Sequence, residues 1–221
     1  MKKIIDGVHR FQKSVFSPRK EFFQRLAHEQ RPEALFVTCS DSRIHPQLIT
    51  QSEPGELFIL RNAGNLIPAY GVTSGEAATI EFAIRELGVR HLIVCGHTGC
   101  GAMKALLRIE DLPQESSVRC WLGHAESTRR VVREMCQGLD GEAMLRAAVQ
   151  ENVLVQIENL KTHPAVRSGL ARGSITIHGW MYELETGRML EYDPEHGRFE
   201  RLDQRPSAAR AAIDAPRLQL P

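Results

Sequence analysis

The chain has 221 residues, with 28 Lys and Arg against 27 Asp and Glu, for a formal net charge of +1. That length suits one α/β domain with an added arm, and the balanced charge removes any electrostatic case for nucleic acid or an anionic membrane as partner. Hydrophobic residues at 42% and charged residues at 25% describe a globular chain rather than a disordered one. No apolar run approaches the roughly 18 residues that span a bilayer. Met1 to Phe11 carries Lys2, Lys3, Asp6 and Arg10 where a secretory leader would be apolar. Five cysteines, an odd number scattered between Cys39 and Cys136, fit a reducing compartment, and the expected location is the cytoplasm.

Residues Val8 to Ala27 read as a helix broken at Ser17-Pro18 and loaded with Phe11, Phe16, Phe22 and Phe23. Such a helix packs either on the domain's own core or on a partner subunit. Ala34 to Thr38 is a short apolar run closed by a polar Cys-Ser-Asp-Ser cluster, which predicts a buried strand; Glu56 to Leu60 repeats the pattern after the turn Glu53-Pro54-Gly55. Ser74 is placed to cap a helix running to Leu87, with Gly88 as its stop. His91 to Cys95 is a third strand, followed by Gly96 and a helix from Ala102. Further helices are expected over 117–136 and 141–160, and a fourth strand over 174–178. Glu185-Thr186-Gly187 and Glu195-His196-Gly197 mark two hairpins. Strands alternating with helices predict an α/β fold: a mostly parallel central sheet flanked by helices, with an antiparallel edge strand and an N-terminal helical arm. The expected organisation is a single domain over 1–203, its arm over 1–30, and a weakly ordered tail over 204–221.

Cys39 closes the first strand, and His97 and Cys100 close the third. Open parallel sheets bind ligands at the carboxyl ends of their strands, above all where strand order reverses. If these strands are neighbours, two thiolates and an imidazole converge. That donor set suits Zn²⁺ and selects against magnesium and calcium. Three ligands rather than four leave a position for water, the pattern of a catalytic site. Taken singly, each residue is equally a core residue. Cys39 at the matching strand end, with Asp41 and Arg43 beside it, carries the reading toward zinc. Arg43 would hold Asp41 ionised and oriented toward the metal-bound solvent. Released, Asp41 would become the fourth ligand and displace the water, which is an off state. His45, His124, His163 and His178 have no Cys or His at ligand spacing and read as structural or surface histidines. Cys95, Cys120 and Cys136 read as buried thiols.

Cys39-Ser40-Asp41-Ser42-Arg43, Arg61-Asn62-Ala63-Gly64-Asn65 and Gly96-His97-Thr98-Gly99-Cys100-Gly101 together resemble the β-class carbonic anhydrases, over about residues 30–192. The resemblance implies one zinc ion per chain on Cys39, His97 and Cys100, with Asp41 and Arg43 as the catalytic dyad. The implied reaction is reversible hydration of carbon dioxide to bicarbonate and a proton, by attack of zinc-bound hydroxide. It also implies homodimers clasped by the N-terminal arm, which in this family pair further into tetramers or octamers. Gln30, nine residues before Cys39, matches the substrate-contacting Gln of the plant-like, open subclass. Phe58, Ala63 and Phe82 match that subclass's apolar pocket, and Gly101 would offer its N–H to a substrate oxygen. Two positions depart from the plant pattern: Phe82 replaces a Tyr and Glu86 a His, which leaves the proton carrier without an assignment. The other subclass has an inhibitory bicarbonate site with a Trp where Phe36 stands here, although Arg61 and Tyr182 match its remaining members. The resemblance therefore favours the open subclass. Two other readings keep the metal: a carbon disulfide or carbonyl sulfide hydrolase on the same scaffold, and a non-catalytic zinc-stabilised assembly module closed by Asp41. With two thiolates on the ion, activity is expected to rise with pH into the alkaline range.

Overall fold

The computed structural model describes residues 1–204; beyond Gln204, the expectation of a weakly ordered tail lies outside the described residues. The chain divides into two compact units, Met1–Arg31 and a second that begins at Pro32. In the first, α1 (Lys2–Phe11) passes through a π turn and a 3₁₀ turn at Ser17–Arg19 into α2 (Lys20–His28). The irregularity falls at Pro18, which lacks the N–H an unbroken helix needs. The phenylalanines pack on one another. Phe16 stacks on Phe23 at 5.1 Å between centroids, and Phe11 meets Phe23 edge-on at 5.7 Å. Arg19 lies 4.4 Å over the Phe22 ring. No residue of α1 or α2 is buried, and Ile4, Ile5, Val8 and Phe11 leave one side of α1 apolar and exposed.

The second unit is built on a six-stranded sheet in the order β2-β1-β3-β4-β5-β6. Its strands are β1 (Ala34–Cys39), β2 (Leu57–Asn62), β3 (His91–His97), β4 (Thr176–Tyr182), β5 (Met189–Asp193) and β6 (Arg198–Arg201). The first four in that order run parallel, β5 pairs antiparallel with β4 and β6 antiparallel with β5, which gives the mostly parallel sheet with an antiparallel margin that was expected. Both hairpins fall at the expected turns. β1 is buried along its whole length, as a strand with neighbours on both edges and cover on both faces must be. β2 departs from β1 on one side and β3 lies on the other. The carboxyl ends of β1 and β3 therefore frame the crevice where strand order reverses.

Among the helices, α3 (Pro46–Thr50) and α9 (Pro164–Ala171) are too short to show a period, although each opens on proline, a favoured first position. α4 (Gly75–Arg85) starts where expected, with the Ser74 side chain accepting from Ala77 N–H. α5 (Gly101–Leu107) follows β3. The helix expected over 117–136 is two, α6 (Ser117–Leu122) and α7 (Glu126–Met135), joined by a 3₁₀ turn that opens on Gly123. α8 (Gly141–Lys161) lies against the sheet so closely that a side chain on β3 would collide with it. A Cβ at Gly96 would stand 2.9 Å from Val153 Cγ2 and 3.0 Å from Val149 Cγ1. Gly96→Val is expected to cost about 1–3 kcal/mol by overpacking. The loss would be read as a lower urea midpoint at unchanged slope; a wild-type midpoint would mean that α8 yields freely.

Candidate metal centre

Cys39 is the last residue of β1 and His97 the last of β3, and Cys100 caps α5 three residues later. The sequence folds this way because each apolar run ends at the site, where polar side chains take over. The two sulfurs are 4.0 Å apart, and with one His97 nitrogen all three donor atoms lie within 4.8 Å of one another, all from buried residues. The Thr98 carbonyl can only accept, so the 2.9 Å contact with His97 Nδ1 fixes the proton there. Nε2 is then a bare acceptor, buried and without a hydrogen-bond partner. Leaving such an atom unmet is costly unless a cation meets it. Sulfurs each about 2.3 Å from a tetrahedral ion would stand roughly 3.8 Å apart, so the donor set and its spacing fit Zn²⁺. The Cys39 thiol is held below the usual thiol range, chiefly by the neighbouring Cys100 thiol and against its own burial, with the Gly64 N–H assisting. The same contact and burial push Cys100 upward, so the pair shares a proton until a cation takes its place.

Asp41 is turned away from the sulfurs by Arg43. The Arg43 backbone N–H and Nε both donate to Asp41 Oδ1, at 3.0 and 2.9 Å, and Nη2 donates to Oδ2 at 2.7 Å. This bidentate clasp holds the Asp41 carboxyl far below the usual carboxylate range. Asp41 Oδ2 remains 3.9 Å from His97 Nε2. Arg43 also reaches the Gly99 carbonyl at 3.3 Å, joining the loop after β1 to the loop after β3.

Several further residues frame this centre through hydrogen bonds that their motifs do not announce. Arg61 donates to the Cys39 carbonyl (3.1 Å) and the Asp41 carbonyl (2.9 Å), holding both functional residues from behind. Gly64 N–H donates to Cys39 Sγ at 3.4 Å. Gly64 sits at φ +85°, where a Cβ would come within 3.0 Å of Ala102 Cβ, so no other residue fits. Asn152, Gln156 and Asn159 form a polar row on α8 that binds the Gly64 carbonyl, the Ile67 N–H and the Ile67 carbonyl. That spacing of amides within an apolar helix face was the available signal. Thr98 Oγ1 donates to Glu185 and accepts from Leu184 N–H, tying the residue beside His97 to the β4–β5 turn.

The remaining predicted site residues fall in different places. Ala63 is exposed at the end of β2, next to Gly64, and Gly101 opens α5 beside Cys100. Phe58 and Phe82 meet each other, 6.0 Å between centroids. Yet Phe58 pairs with Leu35 while Asn62 pairs with Cys39. Four strand positions, roughly 13 Å, separate Phe58 from the sulfurs of its own chain. Gln30 is exposed and belongs to the first unit, between α2 and β1. Phe36 is buried and packs edge-on against Trp180, at 6.0 Å between centroids. Cys95 is buried and its thiol is pushed up to about 12 by that burial. Cys120 corrects the expectation of a buried thiol: it is exposed on α6, whose Leu122 turns inward instead, and Cys136 is half-buried. His163 bonds the Pro68 carbonyl and His178 bonds Glu191, as structural histidines do.

Residues 34–189 match the carbonic anhydrase family. The fold superposes on a solved structure, that of the β-carbonic anhydrase CcaA, with a TM-score of 0.89 and 46% identity over 91% of each chain. The chain belongs to the β-class carbonic anhydrase family. Within that family, a carbonic anhydrase of Synechocystis is 47% identical over 195 residues, spanning 87% of this chain and 71% of the relative. A more distant β-carbonic anhydrase structure, one of two described as tetrameric from Sordaria macrospora, is 27% identical with a TM-score of 0.79, covering 86% of this chain and 95% of that one. No helix among the described residues is long and apolar enough to cross a membrane.

Proposed function

We propose that this β-carbonic anhydrase family member catalyses the reversible hydration of carbon dioxide to bicarbonate and a proton, with one zinc ion per chain on Cys39, His97 and Cys100. The observation that carries the reading is the buried, partnerless His97 Nε2 facing two thiols, while Arg43 keeps the nearest carboxylate out of the cluster. When bound, zinc supplies the Lewis acidity that makes solvent a nucleophile near neutral pH. The chain's own residues supply the rest. Asp41, ionised in the grip of Arg43, accepts a hydrogen bond from solvent in the crevice and so orients it. The Gly101 N–H positions a substrate oxygen.

Carbon dioxide is linear and uncharged, so it needs an apolar wall rather than an ion pair. Ala63 contributes to that wall from the same chain. Phe58, too far along β2 to serve its own site, is supplied by a second copy together with Phe82 of α4, which packs against it. The exposed apolar side of α1 supports the same homodimer, and tetramers would follow by pairing of dimers. Five free cysteines support a reducing, cytoplasmic setting. We assign the open subclass because Phe36 lacks an indole N–H and because Arg61 directs its Nε and Nη2 to the Cys39 and Asp41 carbonyls. Stopped-flow hydration of carbon dioxide, with zinc measured on the same sample, tests the proposal. Stoichiometric zinc with rapid hydration is expected. Zinc-loaded protein that leaves carbon dioxide untouched, or that turns over carbon disulfide instead, overturns it.

A further inference from the structure

The Trp121 indole N–H donates to the Ala63 carbonyl at 2.8 Å. That carbonyl shares a peptide unit with the Gly64 N–H, which donates to Cys39 Sγ at 3.4 Å. A trans peptide points its C=O and N–H in opposite directions, so this one unit bridges an indole on one side and a thiol on the other. The next carbonyl, of Gly64, is held by Asn152 Nδ2 at 3.0 Å, which prevents the unit from rotating freely. Trp121 is itself anchored. It packs against the cluster that contains Cys39, Cys100, Leu66 and Met103, and its ring lies 5.3 Å from that of His124.

We propose that Trp121 is a positioning residue for the metal centre, acting on Cys39 through the Ala63–Gly64 peptide. A donor on the carbonyl polarises the amide and makes its N–H a stronger donor in turn. A thiolate that accepts such a bond gives slightly less charge to a bound cation but has its lone pairs directed at the cation's position, and that orienting gain is the larger effect on affinity. The sequence shows none of this, because Trp121 lies 58 residues from Ala63 on a short helix. The inference rests on the metal-centre reading above and adds to it a residue that touches neither metal nor substrate.

Trp121→Phe keeps the ring and removes the N–H, and both forms can be loaded with Co²⁺. The sulfur-to-cobalt charge-transfer band of the variant is expected to move to lower energy. Zinc affinity, read by competition with a chromogenic chelator, should fall roughly 3–10-fold, less than the roughly 10–100-fold typical when a partner bonded directly to a ligand is lost. Trp121→His, which restores a ring N–H, should recover part of both effects. A folded Trp121→Phe with the wild-type band and wild-type affinity overturns the inference alone. A wild-type protein that takes up neither ion overturns it together with the metal-centre reading. If the variants fail to fold, exchange of the indole proton in the native protein decides: slow exchange supports the bond, and the rate of free indole overturns it.

Discussion

Cys100→Ala is expected to abolish stoichiometric zinc binding and to lower carbon dioxide hydration by at least about 10³-fold, a barrier increase of about 4 kcal/mol. The size of the effect follows from the donor count. Three donor atoms lie within 4.8 Å of one another, and Asp41 is held outside the cluster by Arg43, so among the described residues no fourth donor stands ready to replace a lost sulfur. The substitution also removes the group that holds the Cys39 thiol down, and the surviving cysteine becomes a poorer ligand at neutral pH. Metal analysis after gel filtration, paired with stopped-flow hydration, checks both parts. A variant that retains one tightly held zinc would show that the cluster recruits another ligand.

Asp41→Ala separates metal binding from turnover. Zinc should remain, because Asp41 is not among the clustered donors, whereas hydration should fall about 10²–10⁴-fold, the range for losing a positioned proton acceptor. The carboxyl of Asp41 is shifted downward in the folded protein, by the Arg43 side chain first. The stability this pair contributes is therefore complete above the ordinary carboxylate range and fades only as pH falls below it. Loss of activity between neutral and mildly acidic pH must then come from a group other than Asp41, and Asp41→Ala should keep the shape of the wild-type pH profile at reduced height. Normal turnover by Asp41→Ala, or a profile whose midpoint moves with the substitution, would remove Asp41 from the role given to it.

The parallel strands were legible because their apolar runs are continuous, and Ser74 and Gly88 bracket α4 as capping chemistry requires. Strand ends were the blurred part. β2 and β3 run two residues past the expected ends, through Arg61-Asn62 and Gly96-His97, because hydrophobicity fades where the strands enter the site. β4 extends through Gly179, a poor strand former that is present so that α8 can approach: a Cβ there would stand 2.9 Å from Ile157 Cδ1. The ligand set and the Asp41–Arg43 pair were readable from short motifs. Arg61 falls within one of those motifs, but its supporting role and those of Trp121 and Asn152 were not legible. Each acts on backbone atoms from a distant element, and neither residue type nor spacing announces a hydrogen bond to a carbonyl.

The placement of the donors on β1 and just past β3 gives an occupying ion a mechanical role as well. Cys39 and Cys100 are 61 residues apart in the chain, and the strands that deliver them are the central pair of the parallel region. An ion joining them acts as a rivet across the middle of the sheet, closing a long loop that the unfolded polypeptide would otherwise leave free. Stripping it with a chelator would loosen the molecule from its centre outward, while the β5–β6 margin, which shares none of those donors, would be the last region to register the loss.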